Sequence, residues 1–356
     1  MKIGSRLSIP VRSAQTLGVD PADLERIALL RLPELQTASG LFRGGDPERD
    51  LPSGDPSSIR ASAVVLIGLA RADEFSVDHG FSLGSLRTGL LNSIGLAGVS
   101  VGELGLALWA EAAVDGGATA EVFGEIQRRL PLDAARLPLE ELAWLVSGMS
   151  EAGTESALLE EMARELEERA QRSGLFSDSH RKVGGGLGTI GSQLHALVAL
   201  SKAGESGAGQ PAPEVRARVA RSLIELQRPD GGWPGVIDSR KGEAAEVYPI
   251  FTVNQLALAP MAFRNVPVDS DEAVGRGIEW ALGANALGFD LVHPKEARID
   301  HGISPRRHAG SVIRGVGKAA RLIRGEPRDL DPEDLILDPH VSAEDLGWLL
   351  EAWVGR

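Results

Sequence analysis

Side chains fit for proton transfer and anion binding gather in four short stretches of this 356-residue chain. The first holds Arg43, Asp46, Arg49, Asp55 and Arg60, and the second Asp178, His180, Arg181, Lys182, Gln193 and His195. The third holds Asp238, Arg240, Glu246, Tyr248, Thr252, Asn254 and Gln255. The fourth holds His293, Lys295, Arg298, Asp300, His301, Arg306, Arg307 and His308. A carboxylate beside a phenol or an imidazole is a sufficient set for general acid–base work. Glu246 with Tyr248, the only tyrosine, makes one such set, and Asp300 with His301 another. Arginine forks grip carboxylates and phosphates through paired hydrogen bonds. Arg43, Arg60, Arg181, Arg306 and Arg307 therefore predict a ligand with an anionic group. Loops are also polar because they are wet, and that account stands beside the functional one.

Composition removes several chemistries. With no cysteine there is no disulfide, iron–sulfur cluster, thiolate zinc site or thiol nucleophile. The seven histidines contain no His-x-x-x-His helical pair, so no metal and no cofactor is expected. Gly186-x-Gly188-x-x-Gly191 formally matches a dinucleotide fingerprint, but no strand is predicted before it, so it reads as a glycine-rich entry to a helix. The net charge of −13 argues against a nucleic-acid partner. That charge is uneven: residues 295–328 carry nine basic and three acidic side chains, and residues 325–356 nine acidic ones against two arginines. No run reaches the roughly 20 apolar residues of a membrane span, and Met1–Pro10 lacks the apolar centre of a signal peptide. The expectation is a cytoplasmic protein.

Two kinds of helical segment must hold these stretches. Charged, amphipathic ones read over Asp20–Leu35, Ser156–Arg172, Glu214–Gln227 and Asp271–Leu282. Ala61–Leu69, Leu104–Ala113, Leu194–Leu200 and Val253–Phe263 are apolar on nearly every side, which predicts burial on every side. Glycine–aromatic knots follow charged segments at Gly40-Leu41-Phe42, Gly174-Leu175-Phe176, Gly231-Gly232-Trp233 and Gly288-Phe289. Glycine is expected to take a left-handed helix cap there while the aromatic folds back over the helix end. Six outer/inner pairs are predicted near 21–72, 82–113, 119–152, 156–203, 213–263 and 271–324, with a final helix over 340–355. The fold class is all-α: about six helical hairpins closing into an inner barrel sheathed by an outer one. Residues 1–325 form the ring in this reading, and 326–356 an acidic segment whose closing helix packs on it.

Leu226-Gln227-Arg228-Pro229-Asp230-Gly231-Gly232-Trp233 resembles the Gln–Trp repeat of the terpenoid cyclase and protein prenyltransferase superfamily. Asn254-Gln255-Leu256-Ala257 and Ile278-Glu279-Trp280-Ala281-Leu282 resemble the helices that follow it there. The likeness is greatest to bacterial prenyltransferase/squalene-oxidase-repeat proteins, covers about 155–325, and implies an α/α toroid. The Asp-x-Asp-Asp acid of that superfamily's protonating cyclases has no recognisable counterpart. Trp109, Trp144, Trp280 and Trp348 read as helix packing, which leaves few rings to steady a carbocation.

Three functions follow as expectations. In the first, the cavity takes an isoprenoid or polyprenyl-linked small molecule, its anionic head held by Arg43, Arg60, Arg181, Arg306 and Arg307. Glu246 or Asp300, with Tyr248 or His301, moves protons, and Asn254 and Gln255 line the mouth of the inner helices. In the second, the toroid acts on an acidic polysaccharide, with Trp233 as a sugar platform. In the third, it is a non-catalytic scaffold for a protein partner.

Overall fold

The computed structural model describes residues 20–44, 56–96, 98–116, 120–130, 136–154, 157–178, 186–207, 213–306 and 330–356. Twelve helical segments alternate between an outer and an inner layer among them. The outer helices are α1 (Pro21–Leu35), α3 (Leu83–Leu91), α5 (Ala120–Arg129), α7 (Ala157–Glu168), α9 (Pro213–Glu225) and α11 (Asp271–Ala281). The inner helices are α2 (Pro56–Glu74), α4 (Val101–Asp115), α6 (Leu139–Glu151), α8 (Ile190–Ser206), α10 (Ala259–Phe263) and α12 (Ala343–Trp353). Each inner helix packs on the next, and α12 packs on α2, so the inner layer closes into a ring. This is the α/α toroid that the apolar and amphipathic segments predict.

The closure differs from the expectation in one respect. The sixth inner helix is Ala343–Trp353, while most of the basic segment predicted for that place lies outside the described residues. The first outer helix, α1, rests on α12, so the two ends of the chain meet at one seam. Ser342 starts α12 with a capping box: its hydroxyl accepts from Asp345 N, and Asp345 accepts from Ser342 N. Ser100 and Glu103 cap α4 in the same way.

The knots form, with altered geometry. Gly40, Gly174 and Gly231 have φ of 85°, 85° and 92°, but each stands in a turn several residues past its helix rather than at the cap. Across these turns Thr37 N donates to Leu41 O, Gln171 N to Leu175 O and Arg228 N to Gly232 O. Phe42, Phe176 and Trp233 are wholly buried between the layers. Phe289 instead stays exposed, and Asn285 ties its turn by donating to Trp280 O and Phe289 O.

The fifth inner helix widens before α10 into a π-turn over Asn254–Leu258. Pro260 explains it, because proline has no N–H to offer the carbonyl of Leu256 four residues earlier. The indole of Trp353 on α12 donates to that carbonyl instead.

Short strands, absent from the expectation, decorate the connections. They are β1 (Leu187–Thr189), β2 (Val236–Asp238), β3 (Glu243–Glu246), β4 (Ile250–Phe251), β5 (Val292–His293), β6 (Arg298–Ile299), β7 (Gly302–Pro305) and β8 (Leu335–Asp338). They form an antiparallel β1-β2-β3 sheet, a β4-β7-β8 sheet and a β5-β6 hairpin. Gly188 of the glycine-rich motif lies within β1, and a Cβ there would come within 2.9 Å of Phe176 O. Its role is close packing, with no parallel crossover for a dinucleotide.

Candidate active site

The inner helices carry polar and aromatic residues at helical spacing within otherwise apolar stretches. α6 has Glu140, Trp144 and Glu151; α12 has Glu344, Trp348 and Glu351; α8 has His195 and Lys202; α2 has Arg60 and Arg71. Separations of 4, 7 and 11 return to one helix face, and that face looks across the ring. Trp109 on α4 contacts Trp348 on α12 with ring centroids 5.6 Å apart, and His195 contacts Trp348 at 5.2 Å. These helices are not neighbours in the ring, so the contacts cross its interior.

Three layers result. The lower is ionic: Lys202 bonds Glu151 and lies 4.3 Å from the Trp109 ring, and Glu351 feels Lys202, Arg264 and Arg71. The middle is aromatic, with Trp144 edge-on to His195 at 5.7 Å and His195 against Trp348. Trp109, Trp144 and Trp348 are at most 3% exposed, so the middle of the ring is filled.

The upper layer is a recess at the N-terminal ends of the inner helices. Arg60 Nε donates to Glu344 Oε2 at 2.8 Å, and its guanidinium lies 5.7 Å from the Trp144 ring. Burial pushes Glu140 up to about 7; Glu344 adds to the rise and Arg60 opposes it. Its side chain is nevertheless 42% accessible. Its carboxyl is thus desolvated while water still reaches part of the side chain. Glu344 repeats the combination: burial raises it against the pull of Arg60, and it keeps 19% of its surface. Burial also raises Glu103 and Asp178, partly offset by hydrogen bonds from Ser100 and Ser192.

Two imidazoles are shifted in opposite directions. Burial drives His195 down to about 3, helped by Arg60, so it is neutral, with Nε2 4.0 Å from Glu140 Oε1. Burial also works against the His301 cation, but Asp345, 2.8 Å away, outweighs it and raises the group. Asp345 is in turn held low despite burial by His301 and by the cap bonds to Ser342. Phe251 packs on His301 at 4.7 Å. Glu344 acts electrostatically on both Glu140 and His301. Glu140, at about 7, can donate and accept a proton near neutrality. Among the described residues no group of three His, Asp or Glu is arranged to hold a metal.

Of the residues proposed from sequence, Arg60 pairs with Glu344 and His301 with the adjacent Asp345, both at the start of α12. Arg181 and Arg307 lie outside the described residues. Arg306 is exposed, its backbone N–H on Asp334 O. Arg43 is half-buried beside the first knot. Glu246 ends β3 opposite Val236, apart from the acid–base cluster. Tyr248 is buried under Arg228 at 5.9 Å. Asp300 is buried and holds His293 at 3.0 Å and Arg298 at 3.1 Å, so it pairs with those two rather than with His301. Trp233 corrects the sugar-platform expectation: it is wholly buried, its indole donates to Leu223 O, and it stacks on Phe263. Gln255 is buried facing α11, close to Gly277, and Asn254 is buried near Gly191. Glu140, Glu344, Asp345, Trp144 and Trp348 were not singled out as site residues. Their signal is the single polar-aromatic stripe on each apolar helix.

A shallow groove of about 390 Å³, lined by Arg221, Ile224, Glu225, Pro267, Val268 and Asp269, lies on the outer layer away from this chemistry. No helix among the described residues is long and apolar enough to cross a membrane.

No family model matches the chain, and no curated protein matches it in sequence. Its fold does match solved structures. It is similar to a cellobiose 2-epimerase from Spirochaeta thermophila, with a TM-score of 0.61 at 11% identity over 99% of this chain and 98% of that one. It is similar to a sugar epimerase from a ruminal bacterium, with a TM-score of 0.58 at 10% identity over 94% and 98%. It is also similar to a type II terpene cyclase, MstE, from Scytonema, with a TM-score of 0.52 at 13% identity over 96% and 97%. At these identities the likeness shows the toroid and no particular family within it.

Proposed function

We propose that this toroid is an enzyme performing acid–base chemistry on a sugar bound in the upper recess, with Glu140 and His301 moving the protons. The observation that carries the reading is Glu140, pushed up to about 7 by burial while water still reaches its side chain, 4.0 Å from His195 Nε2. A group balanced at working pH gives and takes protons with equal ease. The Asp345-bound imidazole of His301 supplies the opposite partner.

The isoprenoid reading has one observation in its favour, the three tryptophans around the ring interior. Two others weigh against it. Protonating an isolated alkene needs a strong acid, and Glu140 is weaker than an ordinary carboxyl. The tryptophans also fill the space that a prenyl chain requires. Sugar epimerases and a terpene cyclase both share the fold, so the choice rests on the site.

The test is an NMR assay of turnover on a panel of mono- and disaccharides, with prenyl diphosphates in parallel. Activity is expected on a sugar, with a pH limb near 7 that disappears in Glu140→Gln along with about 10²-fold or more of the rate. Full activity in Glu140→Gln, or turnover confined to prenyl diphosphates, overturns the reading.

A further inference from the structure

We infer that the first turn of α12 is a tautomer lock: Asp345, held by Ser342, is a positioning residue that keeps the His301 proton on Nδ1 and leaves Nε2 to trade protons with a substrate. The lock stands on bonds among the described residues, and its use in turnover rests on the reading above. Oδ2 of Asp345 accepts from the backbone N–H of Ser342 at 3.0 Å and lies 2.8 Å from His301 Nδ1. The Ser342 hydroxyl in turn accepts from Asp345 N at 3.1 Å, so one cap fixes both the backbone and the side chain of the aspartate. Against its burial, His301 and Ser342 keep Asp345 ionised, which leaves the carboxylate nothing to donate. An oxygen that receives the Ser342 N–H is an acceptor, and the imidazole nitrogen beside it is therefore the donor.

The surroundings of the ring fix its direction as well. His301 N donates to Asp338 O at 2.6 Å, and His301 O accepts from Thr252 N at 2.8 Å, so its backbone is clamped between β8 and the residue after β4. Phe251 packs against the imidazole with ring centroids 4.7 Å apart. Turning the ring over would break the bond to Asp345. The side chain keeps 24% of its surface, and no hydrogen bond to Nε2 forms among the described residues. A neutral ring protonated on Nδ1 carries its lone pair on Nε2, and the cation offers an N–H at the same place. In either state the exchangeable position is Nε2. One carboxylate thus starts a helix and decides which nitrogen can react.

The experiment is long-range proton–nitrogen correlation NMR of the isotopically labelled full chain at alkaline pH, where His301 is neutral, its signals identified by their loss in His301→Gln. The expected spectrum shows the proton on Nδ1 and a bare Nε2. Asp345→Asn should keep that tautomer, since the Ser342 N–H still requires an oxygen at the shared position. Ser342→Ala should loosen the turn and let the second tautomer appear, and Ser342→Thr, which also caps, should restore the single form. On a sugar that is turned over, Ser342→Ala should lower kcat about tenfold with KM little changed, and Ser342→Thr should recover it. A wild-type proton on Nε2, a proton moved to Nε2 by Asp345→Asn, or an unaltered tautomer in Ser342→Ala each overturns the lock. Should Ser342→Ala not fold, the wild-type and Asp345→Asn spectra decide. A proton on Nδ1 with no turnover of any sugar overturns the carbohydrate reading and leaves the lock standing.

Discussion

Arg60 on the first inner helix donates to Glu344 on the last, 284 positions away in sequence, at 2.8 Å. The two ends of the ring are therefore joined by an ion pair that is also a wall of the candidate site. Such a pair contributes little net stability when intact, and breaking it on one side strands a desolvated charge.

Arg60→Met should lower stability by about 1–3 kcal/mol, below the cost of breaking a fully buried pair because Arg60 retains a third of its surface. Glu344→Gln should cost less, since the amide oxygen still accepts from Arg60. Urea unfolding of both variants checks this. Equal midpoints for wild type and Arg60→Met would show that the seam does not depend on the pair.

Glu140 makes stability pH-dependent in a stated direction. Its folded value of about 7 exceeds the ordinary 4.5, so the folded chain holds a proton that the unfolded chain has lost between those values. Stability therefore falls as pH rises from 4.5 to 7 and stays reduced above. For a side chain 42% accessible the effect should be about 1 kcal/mol after solvent screening. Glu140→Gln should flatten that slope and unfold later than wild type at pH 8. Parallel pH profiles of the two proteins would sink the assignment.

His195 works in the opposite sense. Its value falls from 6.5 to about 3, so the unfolded chain takes up a proton that the folded chain refuses, and stability is lost as pH falls through that window. Roughly 3 kcal/mol should disappear between pH 6.5 and pH 4. His195→Phe preserves a ring between Trp144 and Trp348 and should unfold at lower pH than wild type, followed by tryptophan emission. An unchanged acid midpoint would count against a neutral His195.

Two glycines on neighbouring inner helices set how closely α4 and α6 approach. A Cβ on Gly148 would lie 1.9 Å from Gly105 O, a backbone atom that cannot step aside. Gly148→Ala should cost about 3 kcal/mol by prising the helices apart. Gly124 on the exposed face of α5 meets nothing within 4 Å, and Gly124→Ala should instead stabilise by about 0.5–1 kcal/mol. Thermal melts of the pair test both signs.

The ring was legible where chemistry repeats along the chain. α7, α9 and α11 announce themselves by one apolar face, and α4 and α8 by having apolar residues all round. The inner helix expected before residue 324 lies mostly outside the described residues, while the final helix, expected over 340–355, closes the described ring as Ala343–Trp353. The site was harder to read because loops looked like its natural home. Helix faces set it out instead, and on α6 and α12 a glutamate four residues before a tryptophan is faint against a background of Leu and Ala. Glu246 and Tyr248 drew attention by rarity, a property of composition that carries no information about where a side chain points. Gln193 and Trp233 were conspicuous because they hold knots: Gln193 accepts from Phe176 N and donates back to Phe176 O.

Ring closure by α2 and α12 also bears on biosynthesis. A chain emerging from the ribosome makes five of the described inner helices before the sixth, and until residues 343–353 arrive α2 and the fifth inner helix lack the packing that α12 gives them. Apolar surface left open during synthesis is prone to non-native association. The same segment delivers Glu344, Asp345 and Trp348, so the moment that closes the ring is the moment that completes the site. On the proposed function, a partly made chain lacks these groups, and activity would report that the circle has shut.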